Sequence, residues 1–542
     1  MTDTLQRLPQ WQALLAHRDR IAPLHLRSLF AEDPKRFERF SLTACDLLAD
    51  FSKQRIDAHA IGLLLELAQA RQLSEGMRRM AAGERINYTE GRAALHIALR
   101  AATPCCVDGA EVTGSVRATL DRVLRLAEQI RAGTLAGANG RPIRHVINLG
   151  IGGSDLGPRM ATRALARFAD PRIAVDYVAN VDPAELAAVL ARADPAETLF
   201  ILSSKSFTTV ETLTNARTAR AWLCARLGSE RAIASHFVAV TNNLAAAARF
   251  GIPASACFEL PEWVGGRYSM WSAIGLPLAC AIGSAGFRAL LEGARAMDEH
   301  FLATPPERNL PVWMALVGIW NIDFLGAATL AVLPYSHALG ELPAYLQQLE
   351  MESNGKRVGR DGNAVAVDTA PIVWGGAGTV GQHAFHQLFY QGTHITPIDF
   401  VVPAGQAGEA QDALVGSALA QSAALMLGRT GEEARAELAA RKLPPEEVAR
   451  LAPHLVCPGN QPSTTLLFPS LTPAALGSLV ALYEHKVFVQ GWIWGINSFD
   501  QYGVELGKQM ARSIALAEAG GARPDASTEG LTQALRRMRG RG

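Results

Sequence analysis

The chain has 542 residues, too many for one ordinary core, so two or three domains are expected. Hydrophobic residues make up 49% and charged residues 19%, the composition of a well-packed globular protein rather than a disordered one. The net charge of +1 supplies no overall field for nucleic acid or an anionic membrane, so any anion site has to be local.

Residues 1 to about 115 read as helices. The stretch "QRIDAHAIGLLLELAQARQLSEGMRRMAAGE" has helical periodicity and no good strand is evident. The start, "MTDTLQRLPQWQALLAHRDR", lacks the apolar region of a secretory signal. From there the pattern changes. "RHVINLGI", "IAVDYVAN", "TLFILSS" and "HFVAVTN" are short apolar runs separated by helical stretches such as "VETLTNARTARAWLCARL". Strand, loop and helix in repetition predict a parallel sheet covered by helices, with ligands at the carboxyl ends of its strands. A helical middle spans about 270 to 352. It includes the uncharged run "YSMWSAIGLPLACAIGSAGF" (268–287), whose serines, glycines and Pro277 favour a buried helix over a membrane span. "APIVWGGAGTVGQHAFHQLFYQG" then repeats the strand, glycine loop and helix theme, and "ITPIDFVVP" is a further strand candidate. The last residues, "GGARPDASTEGLTQALRRMRGRG", read as a short helix and a basic frayed tail. The seven cysteines are scattered without CxxC spacing, which argues against a disulfide framework or structural zinc and for a reducing cytoplasm.

Two loops carry the anion chemistry. In "HVINLGIGGSDLGPRM" an apolar run meets a glycine loop and a helix start. A dinucleotide fingerprint would need glycine where Asp155 stands, and a Walker loop would need a lysine that is absent. Gly152, Gly153 and Ser154 can still offer backbone N–H groups and a hydroxyl to a polar ligand, although a tight turn alone would use the same glycines. In "ILSSKSFTTVET", Ser203, Ser204, Lys205, Ser206, Thr208 and Thr209 precede a helix start near Val210. A capping role would need one of these hydroxyls. Together with the ammonium and the helix amides they form a cradle for a small phosphate ester.

The remaining candidates are single residues. Gln348 and Glu352 in "AYLQQLEMESNGKRVG" are spaced i,i+4 and share a face of a helix that Asn354-Gly355 ends. A carboxylate there can act as a general base and a glutamine can orient a hydroxyl, though most glutamates at helix ends are merely solvated. Arg267 in "GGRYSMWSAIG" can stabilise developing negative charge or simply be ion-paired. His383 in "GTVGQHAFHQLF" is placed at a helix start, where the dipole disfavours imidazolium; His386 competes with it. Gln501 and Lys508 in "FDQYGVELGKQMA" lie seven apart, on one face of a predicted helix. No metal triad and no credible G-x-S-x-G elbow is found. A phosphate cradle, one base, one histidine, one lysine and one arginine suit proton transfer beside a carbonyl.

These residues resemble the phosphoglucose isomerase (glucose-6-phosphate isomerase) family. "EWVGGRYSMWSAIG" (262–275) and "GWIWGINSFDQYGVELGK" (491–508) look like its two signature segments, and "GERINYTEGRAALHIALR", "NLGIGGSDLGP", "SSKSFTT", "MESNGK" and "GQHAFHQL" also match. The likeness runs from about residue 10 to 515. It implies an α/β fold of two sugar-isomerase (SIS) αβα sandwich domains with parallel sheets, an N-terminal helical extension and a C-terminal helical arm. The expected boundaries are 1–115 for the extension, 116–285 and 286–515 for the two sandwiches, and 516–542 for the tail. It further implies a homodimer with shared active sites, a sugar-phosphate substrate and no cofactor; with the cysteine pattern and the near-zero net charge, the expectation is a cytoplasmic protein with neither nucleic acid nor membrane as partner. By the same resemblance Ser204, Lys205, Ser206 and Thr209 hold phosphate, and Gly153, Ser154, Gln348 and Gln501 line the sugar. Glu352 matches the base and Arg267 the residue that stabilises a cis-enediolate. His383, from the partner subunit, and Lys508 match the groups that assist ring opening. Val380 stands where the family usually has asparagine, Gly376 where it has an acidic residue, and Ser206 where it has threonine. Two other classes compete: a sugar-phosphate-binding regulator, which would need no base at Glu352, and an NAD-dependent enzyme using the 145–160 loop.

Overall fold

The computed structural model describes residues 5–517 and 525–540. The chain divides into two units, Met1–Ser498 and Phe499–Gly542. In the first unit, eleven strands build two main sheets: β1 (Ser41–Ala44), β2 (Leu47–Asp50), β3 (His145–Leu149), β4 (Ala174–Val178), β5 (Thr198–Ser203), β6 (Phe237–Val240), β7 (Cys257–Phe258), β8 (Thr329–Pro334), β9 (Ile372–Gly375), β10 (Ile398–Pro403) and β11 (Ser463–Phe468).

The first sheet has the order β4-β3-β5-β6-β7 and is parallel throughout. Every residue of β3 and β5 is buried. That follows from their near-continuous apolar sequence, since a sheet covered on both faces has no solvent side for polar residues. Ile147, Leu149, Phe200, Leu202, Phe237 and Ala239 pack against Ala216, Ala219 and Leu223 of the helix Val210–Leu227. Strand order reverses at β3, which has β4 on one side and β5 on the other, so the loops after β3 and β5 diverge and leave a crevice between them. Leu149 pairs with Leu202. The glycine loop and the Ser/Thr loop therefore leave the sheet side by side.

The second sheet has the order β1-β2-β11-β10-β8-β9. Strands β8 to β11 are parallel, and β1 and β2 add an antiparallel edge. This corrects two sequence expectations. The N-terminal segment is not purely helical, because β2 pairs with β11 and extends the second sheet. The middle segment, expected to be helical to residue 352, holds the strand β8, which pairs with both β9 and β10.

Two long buried helices join the halves. Leu276–Ala303 and Pro473–Trp494 cross so closely that a Cβ on Gly293 would lie 1.9 Å from the Ala474 carbonyl oxygen, and one on Gly477 2.1 Å from that of Leu290. The first of these helices is the one described element long and apolar enough to cross a membrane, but 72% of its apolar window is buried within the protein. It also breaks at Gly283 (φ 75°), and Arg131 donates to the Ala281 carbonyl there. Broken carbonyls met by a guanidinium belong to a buried core helix. In the second unit the helix Ala526–Met538 matches the expected C-terminal helix; part of the tail beyond it lies outside the described residues.

Gly477→Ala tests the helix crossing. In an ordinary helix interior this change stabilises by about 0.5–1 kcal/mol. Here the methyl meets a backbone carbonyl, and a loss of about 1–3 kcal/mol is expected by urea unfolding.

Candidate active site

The loop after β5 curls back on itself. Phe207 takes a left-handed backbone (φ 56°) and its N–H donates to the Ser204 carbonyl. Such a conformation is costly for a bulky residue. It is held because the Phe207 ring is buried in the apolar core of the first sheet and packs edge-on against Phe250. The loop after β6 clamps it from outside: Thr241 Oγ1 and the Asn242 N–H donate to the Lys205 carbonyl, and Asn243 Nδ2 donates to that of Ser206. Thr209 occupies the N-cap of Val210–Leu227 but makes no side-chain cap bond. Its hydroxyl lies 3.3 Å from that of Ser204, and Ser206 pairs with Thr208 at 2.6 Å. The hydroxyls thus face each other over a helix N-terminus whose first-turn amides the cap residue leaves unmet. Lys205 folds away, with Nζ 3.3 Å from the Glu262 carboxylate and 3.4 Å from the Pro261 carbonyl. Burial lowers its pKa, opposed by Glu262.

Asn148 couples the two loops. It is fully buried in β3, accepts from Ser203 Oγ at 2.8 Å and donates to the Ser154 carbonyl at 2.9 Å. It was not among the sequence candidates, although a polar residue in the apolar run "HVINL" is the signal that marks it. The glycine loop then meets the turn that carries Arg267. A Cβ on Gly153 would fall 2.1 Å from the Gly266 carbonyl carbon, so only glycine fits. A Cβ on Gly152 (φ 61°) would lie 3.2 Å from Gln348 Nε2, which brings the segment carrying Glu352 to the same place. Asp155, at the position that excludes a dinucleotide fingerprint, is buried and paired with Arg159 at 2.9 Å; burial raises its pKa to about 6.

Arg267 is 2% exposed. Its Nε donates to Ser353 Oγ and its Nη2 to the Ser498 carbonyl, both at 2.6 Å, and Nη1 approaches Glu352 Oε1 at 3.6 Å. Tyr268 meets Ser353 Oγ at 2.9 Å, and Tyr345 donates to the Arg267 carbonyl. The Glu352 side chain remains 21% exposed. It ends a π-helical turn, Gln348–Glu352, that continues the helix Leu342–Gln347. Such wide turns recur at functional sites. Lys356 Nζ donates to the Glu352 and Ser353 carbonyls, satisfying the end of the turn, and the amide oxygen of Gln348 is buried without a protein partner. The sequence singled out neither Ser353 nor Ser498, whose short side chains carry no pattern of their own.

The second sheet carries His383. It closes the short helix Gly378–Gln382 at its C-terminus and is exposed, so the helix-start argument made for it fails. His386 is the residue that begins a helix. It is buried against Phe385 and Phe389, its Nδ1 meets Gln421, and burial lowers its pKa, which makes it a core residue. Gly376 precedes the helix Gly378–Gln382 and Val380 lies within it, 73% exposed. In the second unit the helix starts at Tyr502, so Gln501 precedes it and does not share its face with Lys508 as expected. Lys508 is exposed and pairs with Glu505 at 2.6 Å. Among the described residues no group of three His, Cys, Asp or Glu side chains is arranged to hold a metal ion.

A family model for phosphoglucose isomerase matches residues 50–532. The chain belongs to the phosphoglucose isomerase family. A glucose-6-phosphate isomerase of Aromatoleum aromaticum is 57% identical over 537 residues, 98% of this chain and 97% of that protein. One of Dechloromonas aromatica is 52% identical, covering 97% and 99%. The crystal structure of a glucose-6-phosphate isomerase from Chlamydia trachomatis superposes with a TM-score of 0.85 at 31% identity, over 99% of this chain and all of that one. Likeness to enzymes along the whole length leaves the regulator and NAD-dependent readings without support.

Asn148→Leu is expected to leave the Ser154 carbonyl and the Ser203 hydroxyl buried and unpaired. A loss of about 1–3 kcal/mol per group follows, measured by denaturant unfolding. The two loops should then drift apart, seen as weaker binding of a phosphate ester by calorimetry.

Proposed function

We propose that this chain interconverts glucose 6-phosphate and fructose 6-phosphate by proton transfer between C2 and C1. The observation that carries this reading is the meeting of the Arg267 guanidinium with the Glu352 carboxylate beside the loop Gly152–Ser154. A carboxylate with one face open to the cleft can take a proton from carbon. A guanidinium fixed within a few ångströms can stabilise the oxyanion that forms, with no reorganisation at that moment.

The other roles follow from the surroundings. Ser204, Ser206 and Thr209, with the amides after Thr209, hold the phosphate dianion, and Lys205 swings from Glu262 toward it. Gly153 and Ser154 present the loop edge to the sugar, and the unpartnered Gln348 amide oxygen accepts from a sugar hydroxyl. Glu352 moves the proton and Arg267 stabilises the cis-enediolate. His383 and Lys508 assist ring opening, and Gln501 contacts the sugar. In a homodimer, the working form that the family resemblance implies, the exposed position of His383 at the end of a turn suits a residue that acts across the subunit contact. Cytoplasmic location accords with seven cysteines that are all free thiols.

Purified protein with fructose 6-phosphate and EDTA, coupled to glucose-6-phosphate dehydrogenase, tests the reaction. Glu352→Gln should reduce kcat by about 10²–10⁴-fold. Binding of a phosphorylated polyol that lacks a carbonyl, such as sorbitol 6-phosphate, should change little. Retained turnover in that variant would show that another group is the base.

A further inference from the structure

We infer that the buried ion pair between Glu350 and Lys486 positions the catalytic turn. This rests on Glu352 being the base. Glu350 and Lys486 are each 3% exposed, with Oε2 and Nζ 2.7 Å apart. Glu350 lies in the middle of the π-helical turn and Glu352 ends it. Residues two apart on a helical turn do not share a face. Glu350 therefore points into the core while Glu352 points to the cleft. Whatever fixes Glu350 fixes the rotation of the turn, and with it the direction of the Glu352 carboxylate.

The fixing continues beyond the pair. Glu350 Oε1 accepts from Asn354 Nδ2 at 3.1 Å, and the same nitrogen donates to the Val487 carbonyl at 3.0 Å. Asn354 Oδ1 accepts from Ser498 Oγ at 2.7 Å, and the Ser498 carbonyl accepts from Arg267. A Cβ on Gly491 would lie 1.9 Å from Ser498 Oγ, so glycine on the helix Pro473–Trp494 is what admits this serine. Lys486, Glu350, Asn354 and Ser498 thus link that rigid helix to both reacting groups, Glu352 through the turn and Arg267 through Nη2. A buried ion pair is seldom worth net stability against apolar residues of similar size. What it supplies is a single register. A π-helical turn, free to revert to ordinary helical spacing, needs such a register to keep its last side chain aimed.

The test replaces the pair with apolar residues of similar volume, Glu350→Leu with Lys486→Met. The melting temperature should fall by no more than the loss of the buried Asn354 Nδ2–Glu350 hydrogen bond entails, and sorbitol 6-phosphate should bind within about twofold. A displacement near 1 Å at the base should cost kcat on the order of 10–100-fold with KM little changed. A loosely held base also exchanges its proton with water. With glucose 6-phosphate deuterated at C2 as substrate, the fraction of deuterium transferred to C1 of the fructose 6-phosphate should fall, which a purely structural pair would not change. Glu350→Gln keeps the volume and an acceptor for Lys486, and should show a smaller loss in the same direction. It serves as the reading if the double variant fails to fold. A folded double variant, or failing that Glu350→Gln, with native kcat and native deuterium retention overturns the proposal. Glu352→Gln run in parallel separates the two readings. If it too keeps turnover, the base assignment has failed; if it alone loses turnover, only the positioning role has.

Discussion

A guanidinium cannot be buried unless its donors are met, because an unpaired charge in the interior costs far more than one ordinary contact returns. Arg267 meets that demand through Ser353, which follows Glu352, and through the Ser498 carbonyl, which comes back across the core. Its backbone is held as well, Gly266 fitting against Gly153 and Tyr345 donating to the Arg267 carbonyl. These segments come from both α/β halves. The contacts that pack the halves together are therefore also the ones that bring the arginine and the carboxylate side by side.

A second charged cluster lies behind the first. Arg100 grips Asp298 with two contacts of 2.7 Å and meets Glu484 at 2.8 Å; His485 pairs with Asp298, and Trp271 donates to Glu484. All of these are buried, and burial pushes the Glu484 carboxyl up to about 6. His96, its pKa lowered by burial and then by Arg100, stacks on Tyr268 at 4.5 Å, and Tyr268 reaches Ser353. Aliphatic residues would fill the same volume at less electrostatic cost. Directional bonds define one arrangement where an apolar core tolerates several, and this one reaches Arg267 through His96, Tyr268 and Ser353.

Four strands of the first sheet were legible because they alternate with helices and read as short, mostly apolar runs; the two-residue β7 carries no pattern and was not expected. Of the second, only β9 and β10 were legible, and β11 in "STTLLF" was missed along with β1, β2 and β8. β1 and β2 are four residues each and turn through Cys45-Asp46, both with positive φ, where asparagine-glycine is the usual signal. β8 sits in a stretch so apolar that a strand and a buried helix look alike by periodicity. Within the site, Glu352, Arg267 and Gly153 were visible because each sits in a distinctive glycine- or motif-bearing segment. His383 was expected at a helix start, whereas "GTVGQHAF" forms a short turn ending at the histidine. Asn148, Ser353 and Ser498 act through single hydrogen bonds across the fold, and linear spacing does not encode those.

The site is also where local rules are broken together. Thr209 caps a helix without bonding to it, Phe207 adopts a backbone that suits glycine, Gln348 keeps a buried oxygen unpaired, and the segment carrying Glu352 leaves α-helical spacing. Each departure has a cost, and a sequence selected for stability alone would remove it. Each also leaves something available: helix amides and hydroxyls at the Ser/Thr loop, an acceptor at Gln348, a side chain turned from core to cleft at Glu352. The core supplies the means to keep them, in the buried ring of Phe207 and the ion pair under Glu350. The stable parts of this fold therefore serve to hold a few unstable arrangements in place, and those arrangements are the ones a charged, hydroxylated ligand would satisfy.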